Sequence, residues 1–498
     1  MLKESTLDFI LTQPDLAKQV FRGMEKEVVQ LRKQVGDAKD GDGQTPLLEE
    51  VEEWMVEQKQ DAEILRKKMM GRSTEKRKKG KEDKAKKKRT KPAGSGRGQV
   101  GEDLPVVRED YHLKEPKDLI CPCKNELRPT NKTQVTYQQD YIPAKLVRRQ
   151  IVRWIYTASC GCVKTAPGRT TLVDGGQYGI DLACEIVARK YHDILPLERQ
   201  AKMFKRDGGA TITPSTLYNQ TKHVAGLLED VYEAIRLDIE AGYVRHADET
   251  RWRILQDVEN KTQYAWVFRN DRHAYFTIQD TRSGEVPLQV MPGAAGALVA
   301  DDYAGYNQWV DENELERVQC WAHTRRKFLD ILDYFPECAV FLDLVSDLYK
   351  ADRECRSNGP PTAKQRKAAC KNIIKAIDVW RKNQSCLPKS KLRKALNYLN
   401  DNWAGLTAFL DDPRLPLDNN PAENALRTIV LGRKNFLFNR SVEGARVSAI
   451  LFTICISCVM NEVDPKAYLR ETILRIRHCR GFQLPYEFAN EHETINLI

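Results

Sequence analysis

The chain has 498 residues, 41% hydrophobic and 30% charged, with a net charge of +10. That length exceeds what one compact core organises, and the composition excludes a wholly disordered chain. The longest apolar stretch, Ser448 to Met460, falls short of the ~20 residues that cross a bilayer, so a buried helix is expected and no membrane partner.

From the N-terminus, MLKESTLDFILTQPDLAK lacks a basic region followed by an unbroken apolar core and does not read as a signal peptide. Thirteen cysteines without an export signal fit a reducing, cytoplasmic setting with thiols or metal rather than a disulfide scaffold. Residues 1–70 read as helical, with Val28, Leu31 and Val35 at spacings of three and four. Such helices pair as a coiled coil between subunits or fold back as a hairpin, and both readings stand. Residues 71–104 read as a basic flexible linker ending in AGSGRGQVG. The basic run, Arg66 to Arg97, holds 16 Lys and Arg against Glu75, Glu82 and Asp83, a local +13 that leaves the remainder at −3. A solvated linker and attraction to the DNA backbone explain it equally well.

Residues 105–170 carry Cys121 and Cys123, then a strand-rich stretch, then Cys160 and Cys162. Two cysteine pairs flanking a hairpin predict a small module around structural Zn²⁺, four thiolates satisfying a tetrahedral ion. Unligated buried cysteines are the alternative. Residues 171–240 read as helical. Two of the helices meet at a glycine turn, with Thr213 as cap and Pro214 in the first turn of the second. That pattern fits a DNA-binding helix-turn-helix and any other helical hairpin alike.

From Ala241 the texture changes to strands. GYVRHADETRWRIL, QYAWVFRN and HAYFTIQD have the spacing of a meander. GALVA then runs into Asp301 and Asp302, and RVQCWAHTRRKF passes from strand to helix. These predict an α/β sheet of the ribonuclease H kind. Asp248 sits within the first strand, where Glu249 must face the other way. Asp301 follows an apolar run, at the strand edge where α/β sites form. Glu423 enters the first turn of a helix that Asp418 to Asn420 cap and Pro421 begins. Three carboxylates brought together repel unless divalent cations bind, and two Mg²⁺ ions suit such a set. Glu423 paired with Arg427 one turn on is the plainer alternative.

HADETRW, ADDYAGY, CWAHTRRKF, LDNNPAENALR and LGRKNFLFNRSVEGA stand in that order along the chain. With LRKKMMGRSTEK, CPCKNELRPT, DYIPAKL and KYHDILPLERQ upstream and DPKAYLRETILRI and LPYEF downstream, they resemble the motif series of insertion-sequence-66-type transposases. The resemblance covers about residues 60 to 487. It implies a three-carboxylate catalytic centre at Asp248, Asp301 and Glu423, in a ribonuclease H-like core of residues 241–329 and 418–460. It also implies a helical insertion over the site at 330–417, with a C-terminal element at 461–498. The implied activity is cleavage and strand transfer of insertion-sequence ends with Mg²⁺. The implied partners are double-stranded DNA (terminal inverted repeats and target), further copies of the chain and accessory proteins of the same element, in a bacterial cytoplasm at the nucleoid. A repurposed or inactive DNA-binding protein and a simple nuclease are the rival readings.

Arg433 and Lys434 match a basic family motif and become candidate phosphate contacts, as do Arg325 and Arg326 beside His323. Trp380 and Trp403 offer base stacking or, as tryptophans on amphipathic helices usually do, core packing. Three departures from the family pattern stand out: Asn424 where arginine is common, Asp302 where glycine is common, and C-x-C at Cys121 and Cys123.

Overall fold

The computed structural model describes residues 146–157, 163–208, 211–255, 262–357 and 359–496. The helical reading of 1–70, the linker at 71–104 and the zinc ligands Cys121, Cys123, Cys160 and Cys162 lie outside the described residues. Of the 105–170 segment, a short antiparallel pair is described, β1 (Ile155–Thr157) with β2 (Val163–Thr165).

Four helices follow: α1 (Ile180–Tyr191), α2 (Leu197–Gly208), α3 (Pro214–Leu227) and α4 (Glu229–Ala241). Thr213 caps α3, its hydroxyl accepting the Thr216 N–H at 3.2 Å, and Pro214 opens the helix where a missing N–H costs nothing. Glu229 and Asp230 place negative charge at the positive end of α4. The apolar faces of α1, α3 and α4 share one core with the sheet that follows.

That sheet runs β3 (Val244–Trp252), β4 (Gln263–Arg269), β5 (Ala274–Gln279), β6 (Ala297–Ala300) and β7 (Glu316–Gln319), in spatial order β5-β4-β3-β6-β7. β3, β4 and β5 form the antiparallel meander, while β6 and β7 add to β3 in parallel. Two short helices, α5 (Glu285–Val290) and α6 (Asn307–Glu312), make the crossovers on either side of β6. After β7 come α7 (Trp321–Leu329), α8 (Cys338–Arg356), α9 (Ala363–Lys382), α10 (Lys391–Asp401) and α11 (Trp403–Thr407). The chain then returns through α12 (Asn420–Phe436), α13 (Val442–Met460), α14 (Pro465–Arg477) and α15 (Pro485–Asn496).

Strand alternation divides what each face meets. On β6, Leu298 and Ala300 join one core with residues of α4, α5 and α6, whereas Ala297 and Val299 pack with Val318 against helices α7–α11. Residues 330–417 therefore cover one face of the parallel edge, and α12 with α13 covers that face over the meander. α13 is long and apolar enough to cross a membrane, and here it is the core helix, buried from Val447 to Cys458. Its two central hydroxyls serve the edge strand. Thr453 accepts the Phe276 N–H at 2.9 Å and Ser457 the Ala274 N–H at 3.1 Å, so β5 presents fewer open donors.

Candidate active site

Asp248 and Glu249 are chain neighbours on opposite faces of β3, and their surroundings differ in kind. Glu249 is nearly sealed, its side chain 3% exposed. The Arg282 guanidinium donates to it at 2.8 Å and the Tyr306 hydroxyl at 2.6 Å. Burial raises its pKa, and those two donors act the other way. Asp248 has no ion pair among the described residues. Its Oδ1 accepts the Glu249 N–H at 2.8 Å. Burial first, then the neighbouring carboxylates Glu249, Asp301 and Glu423, push its pKa up to about 8.

Asp301 stands one residue past the end of β6. The parallel register pairs His246 with Val299. Carried two residues further, it sets Asp301 level with Asp248 on the same face, with strands ~4.8 Å apart. The Asp301 Oδ1 accepts the Tyr303 N–H at 3.1 Å, and Arg317 of β7 donates to its carbonyl. Asp302 points to solvent instead.

Glu423 comes from far along the chain, and Asn419 brings it in. Asn419 is the residue before α12, and its side-chain amide donates to the Ala247 carbonyl at 2.9 Å. Its oxygen lies 3.0 Å from His246 Nδ1, and its backbone N–H donates to Cys320 Sγ at 3.2 Å. With the amide donating to β3, the oxygen must accept, so Nδ1 of His246 carries the proton. Burial holds the His246 pKa down to about 4 and keeps the ring neutral. The helix start is pinned beside Asp248 by these bonds and by Arg269, which donates to the Pro421 carbonyl at 3.0 Å.

From there Glu423 turns toward α7 rather than to Arg427, which is exposed. His323 Nε2 lies 3.6 Å from one carboxylate oxygen and Arg326 3.9 Å from the other. The oxygen facing His323 is buried without a hydrogen bond, as is His323 Nδ1. Cys320, whose thiol burial pushes up to about 12, lies with His323 and Glu423 so that their ligand atoms fall within 4.8 Å of one another. The insertion reaches the same place through Tyr398 of α10. Burial raises its hydroxyl pKa, helped by the charges of Asp302 and Asp301.

The basic candidates divide. Arg433 donates to Thr250 Oγ1 at 3.2 Å and to the Arg251 carbonyl, bracing the end of β3. Arg326 faces Glu423, Arg325 is half-buried, and Lys434 projects into solvent. Trp380 packs on Phe341 and Phe328 at 5.2 and 5.7 Å between ring centres, and Trp403 on Trp321 at 6.3 Å. Both tryptophans are half-buried and pack against the core of the insertion. Sequence reasoning missed His246, Arg282 and Tyr306, and it read Asn419 as a helix cap, whereas its side chain makes no cap bond and instead bonds β3. For His246 alone a local signal existed, since alternation puts it on the same face as Asp248.

The mixed α/β sheet thus gathers acidic side chains at one end of one face. The family model described as "Transposase IS66 family" matches residues 175–447, more than half of the chain, and the chain belongs to that family. The matched span contains Asp248, Asp301 and Glu423, and membership implies DNA binding. Similar proteins from Sinorhizobium fredii include "Uncharacterized protein y4jD", 28% identical over 73% of this chain and 75% of its own length. "Uncharacterized protein y4hP" is 26% identical over 74% and 72%, and "Uncharacterized protein y4qI" 29% identical over 61% of each.

Proposed function

We propose that the chain is a Mg²⁺-dependent transposase that cleaves insertion-sequence ends and joins them to target DNA. Asp248, Asp301 and Glu423 are its metal ligands, on a core of ribonuclease H-like design. The observation that carries the reading is Asp248, a buried carboxylate with three acidic neighbours and no ion pair among the described residues. A set of hard oxygens in which burial and acidic neighbours hold Asp248 above the usual carboxylate range, and in which one oxygen of Glu423 has no hydrogen bond, fits a divalent cation.

Two bound Mg²⁺ ions would supply an activated water or 3′-hydroxyl and stabilise the leaving oxygen. The chain's own groups set the geometry. Asp248 and Asp301 offer oxygens from adjacent parallel strands, which fixes their separation. Asn419 holds α12 so that Glu423 meets them, and His323 and Arg326 orient the Glu423 carboxylate. Lys434, Arg325 and Arg326 are the proposed phosphate contacts, while Arg433 acts through the backbone of β3. Zinc at Cys121, Cys123, Cys160 and Cys162, and pairing of subunits through residues 1–70 to synapse two ends, complete the proposal. Zinc content that stays unchanged in a Cys160→Ser full chain would overturn the zinc assignment.

The test is an incubation of full-length protein with labelled terminal-repeat DNA and Mg²⁺, beside an Asp301→Asn variant. Nicked and joined products are expected from the first and neither from the second. Binding without nicking would mark a repurposed DNA-binding protein, nicking without joining a nuclease. Equal activity in the variant would remove Asp301 from the site.

A further inference from the structure

The turn between α12 and α13 displays apolar side chains that a folded chain would ordinarily hide. Leu437 is 63% exposed and Phe438 38%, with Leu431 and Val442 exposed on either side. Leu437 also has φ 69° and ψ −41°, a turn conformation outside the left-handed helical region and strained for a residue with a Cβ.

This tip is held rigidly from below. Asn439 donates its N–H to the Arg253 carbonyl at 3.0 Å and accepts from the Leu255 N–H at 2.9 Å. Its side chain accepts from the Trp252 indole at 2.8 Å and donates to the Gly444 carbonyl and Ser448 hydroxyl at 3.0 and 2.9 Å. On the other flank, Asn435 donates to the Ile194 carbonyl at 3.0 Å. Charge completes the surface. From Asn424 to Val442 the chain has four cations and no acid, and Lys434, Arg440, Arg251 and Arg253 are exposed. The nearest acid beyond, Glu443, is paired with Lys222 at 2.6 Å.

We infer that Leu437 and Phe438 form a wedge that enters the DNA base stack beside the cleavage site. The inference deepens the DNA-processing reading and rests on it. An apolar tip ringed by cations fits a duplex that must be opened, the cations holding phosphates while the tip takes the place of a stacked base. Arg253 is five residues past Asp248, ~16 Å along the strand. At ~3.4 Å per nucleotide, the wedge meets the DNA roughly five steps from the phosphate at Asp248.

Terminal-repeat DNA carrying 2-aminopurine or pyrrolocytosine, placed one position at a time, reports unstacking as a rise in fluorescence. Cleavage is followed in the same samples. Full-length protein should raise the signal at about that step. Phe438→Ala should lose about tenfold in cleavage together with the signal, Phe438→Trp should keep both, and an abasic site at that step should restore cleavage to Phe438→Ala. Efficient cleavage with no unstacking at any position would overturn the wedge and leave the transposase reading intact. A full signal in Phe438→Ala would do the same. Failure of the unaltered protein to bind or cleave would remove both.

Discussion

The two faces of β3 show how one strand carries a structural carboxylate and a candidate catalytic one side by side. On the Glu249 face, a cation and a hydroxyl arrive from residues 33 and 57 positions away, and the buried charge is matched. On the Asp248 face the approaching groups are more carboxylates, and the charge is left unmatched. Burial alone does not mark a functional acid, because both side chains are largely buried. The sign of what lies next to the acid separates them.

Exchange of the two acids for their amides is the harshest test of that contrast. Asp248→Asn should reduce DNA cleavage by roughly a thousandfold, the several kcal/mol expected when a metal-binding oxygen is lost. Glu249→Gln keeps an oxygen for the Arg282 guanidinium and can donate its amide N–H to the Tyr306 oxygen, and should stay within about tenfold of the parent. A gel assay on the same terminal-repeat DNA compares them, and equal losses would break the contrast.

The next effect is on stability without metal. The Asp248 pKa is about 8 in the folded chain and about 4 in an unfolded one. Between those values the folded state holds a proton that the unfolded state has released. Its contribution is therefore fully present below about pH 4 and is lost as pH rises toward 8. In EDTA, Asp248→Asn should gain on the parent across that window, by on the order of a few kcal/mol at the alkaline end. Denaturant melts of both proteins at pH 5 and pH 8 decide it. A difference that does not change with pH would mean that Asp248 is already ionised.

What could be read from the chain was local. The cap at Thr213, the meander, and Asp248 and Asp301 on their strands follow from alternation, turn residues and apolar runs within a few positions. The junction between them did not follow. Asn419 reaches His246 across 173 residues, because an insertion leaves after α7 and returns at Leu417, whose carbonyl accepts the Trp321 N–H at 3.0 Å. Nothing in the order of residues sets that meeting place. Arg433 shows the same limit. The family motif offers it as a phosphate contact, and only the packed fold brings the carbonyl of Arg251 within its reach.

A milder change probes the matched face. Arg282→Ala leaves Glu249 buried with Tyr306 as its remaining side-chain donor. Removing one partner of a buried pair typically costs 3–5 kcal/mol. Here the arginine is 44% exposed, so water already weakens the pair and about 2 kcal/mol is expected. Urea denaturation gives the value directly. A loss near zero would show that Glu249 takes up a proton instead, which would make the two faces of β3 alike.

The smallest effect concerns the backbone rather than charge, and it asks whether other parts of the site also stand above their lowest energy. Leu437 holds a positive φ where glycine would be at ease, a strain of about 1–2 kcal/mol. Leu437→Gly should recover about 1 kcal/mol of it, the gain being trimmed because glycine loses more freedom on folding. Little packing is lost with the side chain, which is mostly in solvent. The same variant should cut DNA unstacking and cleavage, since half of the wedge is gone. Stability that rises while activity falls would place the turn with Asp248, among features kept at a cost to the fold. Stability that falls with activity would mean that the leucine supports the fold after all, and the strain would have no functional explanation.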